Sequence, residues 1–299
     1  MSASEEQAIE RELDPPFTIL RPAGPPTPFV FCSPHSGRIY TEHFLSKSRL
    51  DPVSLRRSED YYVDELFASV ADYGVPLLAA RFPRAYLDVN REPYELDPEL
   101  FHDVLPDWAN AQSIRVVGGL GTIARIVADG EEIYRAPLRL EDALTRIDRL
   151  YWPFHKALEA LIEDAKRQFG YAVLVDCHSM PSALVAQSAG QRPDMVLGDR
   201  FGTSCDPRLT RFLRAALAGL GYDVQMNRPY AGGYITEHYG RPLRGIHAIQ
   251  IEVNRGLYVN ERTLVRTAGF GELSNNLARL AARIATEVPL LMERKAAAE

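Results

Sequence analysis

Only three cysteines occur in 299 residues, Cys32, Cys177 and Cys205, and none is in CxxC spacing. An odd, sparse set of this kind argues against a disulfide framework and fits a reducing cytoplasm. Long apolar runs are missing too: nothing approaches the ~20 residues of a membrane span. The first residues, Met1 to Leu13, are acidic and lack the basic-then-apolar order of a secretory signal. Positive charge is in deficit, 34 Lys+Arg against 40 Asp+Glu for a formal charge of −6, which argues against a nucleic-acid partner. An anionic small molecule stays compatible, because a local arginine cluster can reverse the field inside a cleft. Gly118-Gly119-Leu120-Gly121 lacks both GxGxxG spacing and a following Lys-Ser/Thr, so it reads as a turn and not a phosphate loop.

What is present is an ordinary globular balance, 46% hydrophobic and 25% charged. Residues 1–28 are charged and then proline-rich, and predict an irregular N-terminal arm. Beyond them no linker, repeat or low-complexity tract interrupts the chain, which predicts one domain over 29–299. Apolar runs ending near His35, Ala80, His178, Gly198, Met226 and Asn254 read as strands. They alternate with helical patterns, one starting at Ser58 with Glu59 and Asp60 in its first turn. Others cover 141–169, 206–219 and 272–292. Ala85 to Val89 reads as a further extended piece, and Pro153 predicts a kink or break in the long central helix. The alternation predicts an α/β fold with a mixed, mostly parallel sheet flanked by helices on both faces.

His35 and His178 both follow apolar runs, and the carboxyl ends of strands are where open α/β sheets build sites. Two imidazoles delivered there, together with acids, are the minimum set for zinc-assisted hydrolysis. Asp60 or Glu59 offers the third ligand, although an acidic first turn is also what any helix N-terminus favours. Asp176, two residues before His178, either orients that histidine or caps the strand end. Glu252 lies inside the apolar run Ile249-Gln250-Ile251-Glu252-Val253. Burying it alone is expensive, so it is either a general base or a carboxylate paired with Arg255 or solvent. Arg81, Arg84 and Arg91 follow one strand, and Arg228, Arg241 and Arg244 precede another. Guanidinium groups match carboxylates bidentately, so the cluster suits a carboxylate-bearing substrate.

Several segments carry a resemblance: Ser33-Pro34-His35-Ser36-Gly37, Glu59-Asp60-Tyr61-Tyr62-Val63-Asp64-Glu65-Leu66, Arg84-Ala85-Tyr86-Leu87-Asp88-Val89-Asn90-Arg91, Asp176-Cys177-His178-Ser179-Met180-Pro181, Asn227-Arg228-Pro229-Tyr230-Ala231-Gly232-Gly233, and His247-Ala248-Ile249-Gln250-Ile251-Glu252-Val253-Asn254-Arg255. Together they resemble the N-formylglutamate amidohydrolase family, related in fold to zinc carboxypeptidases and aspartoacylases. The resemblance implies one zinc ion per chain and hydrolysis of N-formyl-L-glutamate to formate and glutamate, in histidine degradation. It implies His35 and His178 as ligands, with Asp60 fitting the family's acidic pattern better than Glu59. It also implies Glu252 as the base, Arg84 and Arg91 at the oxyanion or substrate carboxylates, and Arg228 and Arg244 as further carboxylate partners. Carboxypeptidase relatives place a carboxylate three residues after the first histidine, where this chain has Arg38. The leaving acid, the acyl group and the oligomeric state stay open at this level. Three other readings compete: a zinc deacylase or carboxypeptidase-like enzyme for another N-acyl amino acid, a metal-free carboxylate-binding protein, and a hydrolase using Cys177 or Cys32.

Overall fold

In a computed structural model of the chain, residues 4–127, 130–183 and 193–296 are described. Seven strands form one sheet in the order β1-β3-β2-β4-β7-β5-β6. They are β1 (Phe17–Leu20), β2 (Phe29–Ser33), β3 (Leu77–Ala80), β4 (Ala172–Met180), β5 (Met195–Gly198), β6 (Val224–Met226) and β7 (Ile246–Asn254). β2, β4 and β7 pair in parallel, as do β5 and β6, whereas β5 runs antiparallel to β7. The sheet is therefore mixed, as expected for an α/β chain of this pattern. No helix among the described residues is long and apolar enough to cross a membrane.

The chain folds as two compact units that alternate along the sequence. One comprises 1–18, 34–59 and 79–159, the other 19–33, 60–78 and 160–299. In the second, β4 and β7 are buried along nearly their whole length. Side chains alternate faces with a period of two. Val173, Val175 and Cys177 of β4 and Ile249, Ile251 and Val253 of β7 join the main apolar core, together with Leu273, Leu277, Leu280, Ile284 and Val288 of the helix Gly269–Ala296. The intervening residues, Asp176 and His178 on β4 and Gln250 and Glu252 on β7, share the other face.

Four local expectations are corrected. The segment 1–28 contains a helix, Glu5–Glu12, and strand β1, so it is not irregular. Glu5 in the helix's first turn is buried and ion-paired to Arg146 at 2.7 Å, which ties the segment down. No helix starts at Ser58. Glu59 and Asp60 lie in a turn before the short helix Val63–Leu66, whose preceding residue Tyr62 has left-handed backbone (φ 58°). Ala85–Val89 is a turn-rich segment and not a strand. Finally, the long helix is not broken at Pro153. A π-helical turn, Ile147–Tyr151, joins Leu140–Arg146 to Trp152–Phe169. Proline lacks an N–H for the α-helical ladder, and the widened turn sits just before it.

Candidate metal centre

His35 lies two residues beyond β2 in the first unit, where Asp88 Oδ1 meets its Nε2 at 2.7 Å. Asp88 is buried and also binds Arg84 Nη2 at 2.7 Å, with Arg91 Nη2 at 3.8 Å. Burial alone would raise the Asp88 carboxyl, but Arg84, His35 and Arg91 hold it well below the usual carboxylate range. The segment 84–91 is fixed from one side by the helix containing the π-turn. Arg146 Nη1 donates to Tyr86 O at 3.2 Å, Tyr151 Oη donates to Arg91 O at 2.8 Å, and His155 Nε2 lies 2.9 Å from Val89 O. In a regular α-helix, residues five apart point about 140° away from each other. The wider π-turn brings Arg146 and Tyr151 to a common side, so the local irregularity has a use.

The second unit supplies a buried polar network. His178 Nδ1 is 2.9 Å from Asp60 Oδ2, and its Nε2 is 2.9 Å from Asp176 Oδ1. Arg255 Nη2 donates to Asp60 Oδ1 at 3.0 Å, and its Nε donates to Ser179 Oγ at 3.0 Å. Burial by itself would depress the His178 pKa, yet Asp176 and Asp60 raise it well above the ordinary histidine value. The point between these two carboxylates therefore favours positive charge. Glu252, the register partner of His178, has its pKa pushed up by burial to about 8, with His178 pulling the other way.

Among the described residues, His35, Asp60 and His178 form a buried group whose ligand atoms all lie within 4.8 Å of one another, and this group could hold a metal ion. Its chemistry fits zinc, which takes imidazole nitrogen and carboxylate oxygen. The carboxylates on the histidines' Nε2 atoms, Asp88 and Asp176, fit the supporting role that orients ligand imidazoles and fixes their tautomer. Glu59 is engaged elsewhere, by Arg56 Nε at 3.0 Å and Tyr40 Oη at 2.7 Å. It does not belong to the group, which favours Asp60 of the two acids.

The arginines divide. Arg84 and Arg91 meet at Asp88. Arg228 is exposed on the segment leading to Gly233. Arg244 is also exposed, just before the start of β7. From Ile246 to Glu252 the strand covers ~20 Å, which places Arg244 at the wrong end of β7 to share a site with Glu252. This placement does not support its expected role as a carboxylate partner beside Glu252. Sequence reasoning missed Asp88 and Gln250, and it offered Arg255 only as a partner for Glu252, whereas Arg255 pairs with Asp60. The i,i+4 spacing of Arg84 and Asp88 and the alternation along β7 were the available signals. The three cysteines are buried, and burial raises each thiol pKa, which is unfavourable for a thiolate nucleophile.

The family model of N-formylglutamate amidohydrolase matches residues 27–259. An N-formylglutamate deformylase of Pseudomonas putida is 29% identical over 237 residues, covering 78% of this chain and 82% of that protein. One from Pseudomonas aeruginosa is 28% identical over 238 residues, 79% of this chain and 83% of its own. The crystal structure of an N-formylglutamate amidohydrolase from Ralstonia eutropha JMP134 superposes with a TM-score of 0.85 at 38% identity, covering 90% of this chain and 97% of that one. A gene product of Agrobacterium tumefaciens, 17% identical with a TM-score of 0.64, shares the fold.

Proposed function

Because the chain belongs to the N-formylglutamate amidohydrolase family, a hydrolase family acting on an amide bond, we propose that it hydrolyses N-formyl-L-glutamate to formate and L-glutamate with one zinc ion per chain. The observation that carries the zinc dependence is the buried group of His35, Asp60 and His178. When bound there, zinc supplies Lewis-acid polarisation of the formyl carbonyl and acidifies the attacking water.

The chain's own residues do the rest. Asp88 and Asp176 hold the imidazoles of His35 and His178 in orientation. Glu252, on the same sheet face as His178, accepts a proton from the attacking water. It returns that proton to the departing amine nitrogen as the C–N bond breaks. A carboxyl whose pKa lies near neutrality is suited to both halves of that exchange. Arg84 and Arg91 stabilise the developing oxyanion or pair with the substrate's carboxylates, and Arg228 is a further carboxylate partner on its exposed segment.

The test is metal content and formate release from N-formyl-L-glutamate on one preparation, before and after chelation. Near one zinc per chain and chelator-sensitive formate release, restored by added zinc, is the expected result. Bound zinc with no formate release would discard this substrate. Formate release from fully metal-free protein would discard the metal.

A further inference from the structure

Gln250 is buried two residues before Glu252 on the same face of β7. The two ends of its amide have different partners. Oε1 accepts the Gly233 backbone N–H at 2.8 Å, and Nε2 donates to Glu252 Oε1 at 2.7 Å. A backbone N–H can only donate, so the oxygen of the amide must face Gly233 and its N–H must face the carboxylate. The orientation of this side chain is thereby fixed by chemistry at both ends.

Gly233 begins the helix Tyr234–Tyr239 and ends the segment that carries Arg228. That segment presses on β5: a Cβ at Gly198 would lie 2.6 Å from Ala231 C and Gly232 N. Gly232 itself sits at φ +116°, a conformation that glycine permits. From the same helix, Thr236 Oγ1 donates to Asp176 Oδ2 at 3.4 Å. One stretch of chain thus touches both the residue that holds Glu252 and the residue that holds His178.

We infer that Gln250 is a positioning residue, fixing one oxygen of Glu252 and tying its orientation to the 227–233 segment. With Oε1 held by the amide, proton transfer falls to Oε2. A neutral amide suits this task, because it restrains the carboxylate without adding charge beside the histidine. Substrate held by Arg228 and proton transfer by Glu252 then share one mechanical link. The inference rests on Glu252 acting as the base.

The test compares Gln250→Met, which removes both hydrogen bonds at similar length, with Gln250→Glu, which keeps the acceptor for Gly233 but loses the donor. Each is made in the wild-type and Glu252→Gln backgrounds of the zinc-loaded protein. Both substitutions should lower kcat for formate release by about 10–100-fold, the range for outer residues that orient a site. KM should stay within about twofold in Gln250→Glu, which keeps the Gly233 bond, and rise further in Gln250→Met, which frees the segment carrying Arg228. Zinc content should be unchanged. In the Glu252→Gln background neither should cause a further loss. Hydrogen exchange at the Gly233 amide should quicken in Gln250→Met and stay slow in Gln250→Glu. An unchanged kcat, or equal losses in both backgrounds, would overturn the inference. If wild-type protein releases no formate, the reaction assignment falls instead. The exchange at Gly233 then decides separately whether Gln250 holds the segment.

Discussion

His178 and Glu252 are register partners on adjacent parallel strands, β4 and β7. Asp176 and Gln250 are partners two residues back along the same pair of strands. The four side chains make a two-by-two polar block on a sheet whose opposite face is apolar core. Neighbouring strands lie ~4.8 Å apart, so the proposed ligand histidine and the proposed proton acceptor become neighbours through backbone pairing alone. All four residues are buried, and their backbones pair within one ladder.

Replacing Glu252 with Gln keeps the shape and removes the proton acceptor. Formate release should fall by about 10²–10⁴-fold, the usual worth of a positioned acid–base group, while zinc content stays near one per chain. A Glu252→Gln protein turning over at the wild-type rate would take Glu252 out of the base role.

The two neighbouring acids should separate cleanly. Asp60→Ala removes a ligand and should strip zinc during dialysis, as read by metal analysis. Glu59→Gln disturbs only the contacts to Arg56 and Tyr40 and should retain zinc. The reverse pattern would move the third ligand to Glu59.

Position along β7 makes a prediction about the arginines. Arg244→Ala should leave kcat and KM for N-formyl-L-glutamate unchanged within about twofold. Arg91→Ala should raise KM or lower kcat by at least tenfold, since a truncated charge-assisted contact costs about 1.5–3 kcal/mol. An Arg244→Ala enzyme with a large KM defect would mean that the substrate reaches the far end of the strand.

Acid should unmask the role of the N-terminal helix. Burial would raise the Glu5 pKa, but Arg146, Tyr86 and Lys47 outweigh it and lower the carboxyl from 4.5 to about 2. A depressed folded-state pKa gives stability that is present above pH ~4.5 and lost as the pH falls towards about 2. The shift is worth ~3 kcal/mol. Glu5→Gln should be less stable at neutral pH, and its stability should fall less steeply between those limits in denaturant titrations. A variant with the same pH slope as wild type would show that Glu5 is not the group responsible.

Much of the site was legible in the sequence. His35, His178 and Glu252 stand out because polar side chains at apolar strand positions need a reason to be there. Asp176 follows from the same alternation. The residue pattern alone left Asp60 and Glu59 open, with only the family resemblance favouring Asp60, because partners at different ranges distinguish them. Glu59 meets Arg56 three residues away, whereas Asp60 meets His178 across 118 residues. Asp88 escaped notice beside two arginines that drew attention as substrate ligands. Arg244 shows a limit of the sequence, because closeness to a strand says nothing about which end of it lies beside Glu252. The N-terminal helix was hidden by the prolines that follow it, and its burial depends on Arg146, which lies far along the chain.

The segment 84–91 is gripped by Arg146, Tyr151 and His155 through its carbonyl oxygens, which every residue possesses. These carbonyl anchors do not depend on the segment's side chains, and the buried Tyr86 ring under Arg146 and the Arg91 bond to Leu120 O add to them. Arg84 and Arg91 also pair with the buried Asp88, so the carbonyl anchors are the part of the frame that a substitution at either arginine leaves untouched, as a chuck holds different bits. If Arg84 and Arg91 pair with the substrate's carboxylates as proposed, single substitutions on this segment should change which leaving acid is accepted while the carbonyl anchors stay in place.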